Sequence, residues 1–181
     1  MTETPESVID FWFNQLTREE WFVKKDDIDA KIRDRFLDLH LALSSEITPE
    51  WHESADARLA LIIVFDQFPR NMFRGSPHSF ATDGLALAEA RYAVATGLDK
   101  QVDTSRRPFF YMPFEHSERM EDQKRSVDLF TDLGNELYLD YAVKHREVIE
   151  TFGRFPHRNS ILGRENSTEE ETYLSKPGAG F

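Results

Sequence analysis

Three stretches of the sequence concentrate the side chains that could bind an anion. They are residues 66–80, 104–118 and 151–167, which together hold seven arginines, no lysine and four acidic residues. Arginine presents a planar fork of N–H donors that matches a carboxylate or a phosphate, whereas lysine is a flexible point charge. If the three stretches converge in the fold, we expect a pocket for an anionic small molecule or peptide. The candidate ligand-binding residues are Arg70, Asn71, Arg74, Arg154, Arg158 and Asn159.

Histidine and acidic side chains lie in the same stretches, so proton transfer is a second interpretation. His157 or His116 would act as the general base, and Glu115 or Asp66 would orient it. The protein would then be a small metal-independent hydrolase or transferase acting on an anionic substrate. We expect His116 in the first turn of a helix that begins near Phe114, where a core histidine bonded to a carbonyl is the alternative.

A third interpretation needs no ligand. Arginine and asparagine at a helix corner often donate to the free carbonyls of the helix C-terminus, and Asp66 is a local ion-pair partner for such a cation. The segment Phe68–Asn71 matches Phe155–Asn159 apart from one inserted histidine. This likeness predicts equivalent helix-to-loop corners. His145 lies in the middle of an apolar stripe, which favours a buried packing role.

Several other kinds of site are not indicated. The spacing of Glu115, His116 and Glu118 matches no common metal motif, and we expect neither a metal nor a cofactor. The phosphate-binding pattern GxxxxGK[ST] is missing as well. With a net charge of −11, the chain is a poor partner for nucleic acid or an anionic membrane. The absence of cysteine is consistent with a reducing, cytoplasmic location.

Apolar residues recur at helical spacing along most of the chain, and no second β-rich alternating run could pair with the apolar stretch Leu59–Phe65. The pattern predicts an all-α fold of about seven to nine helices. The predicted helices cover residues 5–16, 27–44, 54–66, 82–96, about 114–133 and 137–152, with short ones near Trp21 and Tyr173. We expect one helical domain over residues 1–175, followed by a flexible tail at 176–181.

Three ordered motifs carry a family resemblance: DQFPRNMFRG, PFFYMPFEHSE and FGRFPHRNSILGRENSTEEETYL. In this order they resemble the bacterial domain-of-unknown-function family numbered 924, from residue 11 to about residue 173. The resemblance implies a tetratricopeptide-like α/α superhelix and brings no known activity. The matching motif residues are Asp66, Gln67, Phe68, Pro69, Arg70, Asn71, Glu115, His116, Glu118, Arg154, His157, Arg158, Asn159 and Arg164.

Overall fold

The computed structural model describes residues 3–180, and the regular elements of this part of the chain are all helical. Eight α-helices follow one another: α1 (Pro5–Asp10), α2 (Asp26–Ser45), α3 (Ala55–Met72), α4 (Asp83–Thr96), α5 (Pro108–Glu115), α6 (Met120–Leu133), α7 (Glu136–Phe152) and α8 (Thr168–Leu174). A π-helix (Phe11–Gln15) continues α1, and short 3₁₀ helices are Glu19–Trp21, Pro49–His52, Pro77–Phe80, Leu98–Gln101 and Pro156–Arg158. The all-α prediction is confirmed, and the architecture is consistent with a tetratricopeptide-like superhelix.

Capping residues fix several helix ends where the sequence predicts them. The Thr4 hydroxyl accepts a hydrogen bond from the Ser7 N–H at the start of α1. Before α8, Ser167 and Glu170 form a reciprocal capping box. Gly134 has a φ of 73°, a left-handed conformation that favours glycine, and it separates α6 from α7 as expected.

The central helix α3 is longer than the sequence predicts, because it continues through Pro69 to Met72. A proline has no N–H to donate to the carbonyl four residues earlier, which here belongs to Phe65. The Thr82 hydroxyl donates to that oxygen instead, at 2.7 Å, and so satisfies a buried carbonyl that would otherwise end the helix. The segment Phe68–Asn71 is therefore the last turn of a helix, whereas Phe155–Asn159 contains a 3₁₀ turn after α7. The prediction of equivalent corners is wrong.

The described residues form two compact units, and the boundary falls within α5. The first unit is the chain up to Arg74 together with His78–Pro113. Helices α1, α2 and α4 each pack on α3, whose Leu59–Phe65 run is fully buried. Rings add to this core, and Phe36 stacks on Phe68 with their centroids 4.5 Å apart. The prediction of a single domain over residues 1–175 stays a prediction.

The second unit is Gly75–Pro77 together with the chain from Phe114 onward. Helix α6 packs along α7, and the core contains Val148, Ile149 and the fully buried Phe155. His116 lies between α5 and α6 rather than in the first turn of one helix, so the predicted helix start near Phe114 is wrong. Helix α5 continues past Pro113 to Glu115, and the next helix begins only at Met120.

None of the helices in the described part of the chain is both long and apolar enough to span a bilayer. Of the predicted tail, residues 176–180 form turns, while Phe181 lies outside the described residues.

Candidate functional site

Asp66 and Arg70 form an ion-paired cluster near the end of α3. The Asp66 side chain is fully buried, and its Oδ1 lies 3.3 Å from Arg70 Nη1. Arg70 also makes a two-pronged contact with Asp83, in which Nη1–Oδ1 is 2.9 Å and Nη2–Oδ2 is 3.1 Å. Burial opposes the charged form of Arg70, but the two carboxylates outweigh it and raise the pKa of the guanidinium. The position of the Arg70 guanidinium is thus set by two acidic side chains of the protein itself.

Asn71 and Arg74 bind the same buried carboxylate, that of Asp29 on α2. Arg74 donates from Nε and Nη2 at 2.7 and 2.9 Å, and Asn71 donates from Nδ2 at 2.8 Å. Burial alone would raise the pKa of Asp29, yet the hydrogen bonds from Arg74 and Asn71 bring it below its usual value. These contacts tie α2 to the end of α3. An external anion at Arg74 would have to displace Asp29.

Arg154 and Arg164 repeat this pattern in the second unit. Arg154 donates from Nε and Nη2 to the two Glu170 oxygens at 2.7 and 2.8 Å, which joins the end of α7 to α8. That hydrogen bond is the main reason why the pKa of Glu170 falls to about 2. Arg164 holds Glu118 through both oxygens, at 2.8 and 2.9 Å. Asn159 donates to Glu170 at 3.3 Å and to Asn166 at 2.8 Å.

Three histidines, one glutamate and one arginine form a second kind of cluster, which we call the histidine corner: Glu115, His116, His145, His157 and Arg158. The Nδ1 atom of His145 lies 2.8 Å from the Tyr141 carbonyl oxygen and 3.2 Å from Glu115 Oε1. A backbone carbonyl can only accept, so Nδ1 carries the proton and Nε2 keeps a lone pair. The His116 ring lies 6.4 Å from the His145 ring, centroid to centroid.

Arg158 joins this cluster through a carbonyl and a ring. Its Nη2 donates to the His116 carbonyl oxygen at 3.1 Å, and its guanidinium carbon lies 4.7 Å from the centroid of the Phe155 ring. The same ring packs edge-on against His145, with centroids 5.6 Å apart, and lies 5.5 Å from the His157 ring. The Phe155 ring therefore holds all three side chains in place.

Burial and the charge of Arg158 keep two of these imidazoles neutral. Burial lowers the pKa of His145 to about 3, although the hydrogen bond with the Tyr141 carbonyl opposes the shift. Burial and then Arg158 lower the pKa of His157 to about 4, against a smaller opposing effect of Glu118. At pH 7 both rings are uncharged, so the contact between His145 and Glu115 is not an ion pair.

The structure thus brings together only some of the predicted site residues. Glu115, His116 and Arg158 meet at the histidine corner, and His157 joins them through Phe155. Arg154 and Asn159 share Glu170. The remaining candidates, Asp66, Arg70, Asn71 and Arg74, belong to the first unit. Convergence of all three stretches on one pocket stays a prediction.

Sequence reasoning missed the acidic partners and the place of His145. Asp29 and Asp83 lie far from the motifs that they pair with, and a helical pattern alone does not select them. Glu170 could have been selected from the sequence, because the glutamate of a capping box has a fixed position at the start of a helix. His145 is buried, as the apolar stripe predicts, but its contact with Glu115 also places it at the histidine corner. Within residues 3–180, no three His, Asp or Glu side chains are grouped to hold a metal ion.

Comparison with known proteins identifies relatives without an assigned activity. The model of a family described as "Bacterial protein of unknown function (DUF924)" matches residues 8–178. A solved structure titled as the protein of unknown function ATU0120 from Agrobacterium tumefaciens is 44% identical in sequence. The alignment covers 94% of this chain and 96% of that one, with a TM-score of 0.90. No curated protein matches the chain.

Proposed function

Since the chain belongs to the bacterial family of unknown function DUF924, we propose a function from its site: the protein is a helical binding module that recognises an anionic group at the histidine corner. The group is a carboxylate or phosphate of a small molecule or peptide. Arg158 supplies charge and paired N–H donors, and His116 and His157 supply further ring nitrogens. Of the arginines considered, Arg158 is the one around which the neutral imidazoles gather.

One observation carries this proposal: the charge of Arg158 acts on the rings beside it. It lowers the pKa of His157 and contributes to the lowering at His145, so its positive charge lies close to both rings. His116 and His157 are half-buried, so their rings lie between the core and solvent. Arg158 is buried, and a guanidinium in a low-dielectric environment forms strong charge-assisted hydrogen bonds to an anion.

The other candidate arginines support the proposal less well. Arg70, Arg74 and Arg154 each hold both oxygens of an internal carboxylate. An anion would replace one carboxylate with another there and leave the first buried and unpaired, which costs free energy. For these residues, the interpretation that the motifs lock helix ends is the better one.

The alternative of a hydrolase or transferase is also less well supported. A general base works best when its pKa is near the working pH. The pKa values of about 3 for His145 and about 4 for His157 make both rings weak bases at neutral pH. The contact with Glu115 fixes the orientation of the His145 imidazole. This ring serves as a hydrogen-bonding group rather than as a base. The low pKa values of these two rings therefore favour binding over proton transfer by His145 or His157.

Calorimetric titration with inorganic phosphate and with acetate tests the proposal. We expect one of these anions to bind the wild type, and we expect the Arg158→Gln variant to lose that binding at least tenfold. Arg119→Gln is the matched control, because Arg119 is exposed and pairs only weakly with Glu121 on the surface. Circular dichroism confirms that each variant is folded. Equal binding by wild type and Arg158→Gln would refute the proposal.

A further inference from the structure

Within the second unit, helix α8 and the segment after it are held by different kinds of contact. The helix is held firmly, since Glu170 pairs with Arg154 and the Tyr173 ring lies 5.2 Å from the Phe152 ring. Beyond it the chain turns, and the Ala179 N–H donates to the Lys176 carbonyl at 3.2 Å. We call residues 176–180 the C-terminal strap.

The strap ends directly on His157. Gly180 has a φ of +97°, and a Cβ added at this position would lie 2.9 Å from the Cβ of His157 and 3.2 Å from its Cγ. Real side chains do not approach so closely, so only a glycine fits against this ring. The backbone of the strap therefore covers part of the His157 side chain.

This contact involves little side-chain surface of the strap. The first three strap residues are exposed, and only Ala179 and Gly180 are half-buried. Neither carries a side chain larger than a methyl group, so little apolar surface is buried by the contact. Gly178, with a φ of 78°, adds conformational freedom between the covered end and the anchored helix.

We propose that the C-terminal strap is an autoinhibitory cover of the histidine corner, closed when Gly180 rests on His157 and lifted when an anion binds there. This inference rests on the proposed function. The closed strap excludes water from His157, and a ligand that needs this imidazole must first displace Gly180. The affinity for the anion is reduced by the fraction of molecules in which the strap is closed.

The Gly180→Val variant of the full chain tests the cover without using a ligand. The branched side chain cannot occupy the space beside His157, so the strap lifts and the ring becomes hydrated. We expect NMR titration of the His157 ring to show a higher pKa than in the wild type, because Gly180 is part of what covers the ring and burial is the main cause of its low value. Pro177→Ala, a change at an exposed strap residue, is the control and leaves the pKa unchanged. A chain truncated after Ser175 gives the same test without a clash.

Titration with inorganic phosphate tests the inhibition. If the strap is closed in about nine of ten molecules, Gly180→Val and the truncated chain bind phosphate about tenfold more tightly than the wild type. An unchanged His157 pKa in both variants overturns the cover. A raised pKa with unchanged phosphate affinity overturns the inhibition and leaves the binding proposal standing. Phosphate and acetate binding by none of the chains refutes the proposed function and the inhibition together.

Discussion

Two segments with nearly the same sequence differ in what their arginines do. In FPRN, which is the last turn of α3, Arg70 lies between the carboxylates of Asp66 and Asp83. In FPHRN, which forms a 3₁₀ turn, Arg158 lies on the Phe155 ring and donates to a carbonyl. The inserted His157 accompanies the change from an α-helical turn to a 3₁₀ turn. The two segments share residue types, but the α-helical turn places its arginine between two carboxylates, whereas the 3₁₀ turn places its arginine on an aromatic ring beside the histidines.

The largest effect is expected from breaking the FPRN cluster. Arg70→Ala leaves the fully buried Asp66 without its cation, and we expect a loss of about 3–5 kcal/mol in the free energy of unfolding. Chemical denaturation measures this loss. Arg119→Ala, at an exposed ion pair, costs less than about 0.5 kcal/mol. A cost below about 1 kcal/mol for Arg70→Ala would show that the cluster does not lock the fold.

A smaller, pH-dependent effect is expected at the histidine corner. The pKa of His145 is about 3 in the folded protein, below its ordinary value of 6.5, so unfolding takes up a proton between these two values. The stability that the neutral ring contributes is complete above pH 6.5 and decreases as the pH falls toward 3. From pH 6.5 to pH 5 we expect His145 to account for a loss of about 2 kcal/mol.

Denaturation of the wild type and of His145→Gln over this pH range isolates the effect. The glutamine does not titrate, so its stability curve lacks the histidine contribution and is flatter below pH 6.5. Parallel curves for the two proteins would contradict the low pKa of His145.

The hydrogen bond from the Thr82 hydroxyl to the Phe65 carbonyl is expected to give the smallest of these effects on stability. It also provides a test of why the FPRN segment remains helical. Thr82→Val leaves the buried Phe65 carbonyl without its donor and costs about 1–2 kcal/mol. Pro69→Ala restores an N–H that can donate to the Phe65 carbonyl. In the Pro69→Ala background, Thr82→Val therefore lowers the free energy of unfolding much less. Thr82→Ser keeps a hydroxyl and is the control. Additive effects of the two substitutions in denaturation experiments would contradict this explanation.

Particular residues show how far the sequence alone predicts the molecule. Thr4, Gly134 and Ser167 act locally, so their positions in the sequence predict helix ends that the structure confirms. Pro69 misleads, because the donor that compensates for it comes from Thr82, beyond the end of the helix. Local patterns determine most helices, whereas the compensating contact depends on tertiary structure.

The candidate site was less predictable for the same reason. Residue types alone select Arg70 and Arg158 equally, since both follow a Phe-Pro pair. Their roles differ through partners that are distant in sequence: Asp83 is 13 residues from Arg70, and the His116 carbonyl is 42 residues from Arg158. Burial of His145 follows from its apolar stripe, but the approach of Glu115 to its ring depends on how α5 ends near α7.

Side-chain NMR during a phosphate titration tests the central contrast most directly, because the Nε–H signals of Arg70 and Arg158 are observed in one sample. We predict that the signal of Arg158 and the ring signals of His157 shift in a saturable manner, while the signal of Arg70 stays in place. Equal shifts at both arginines, or a shift at Arg70 alone, would contradict the account.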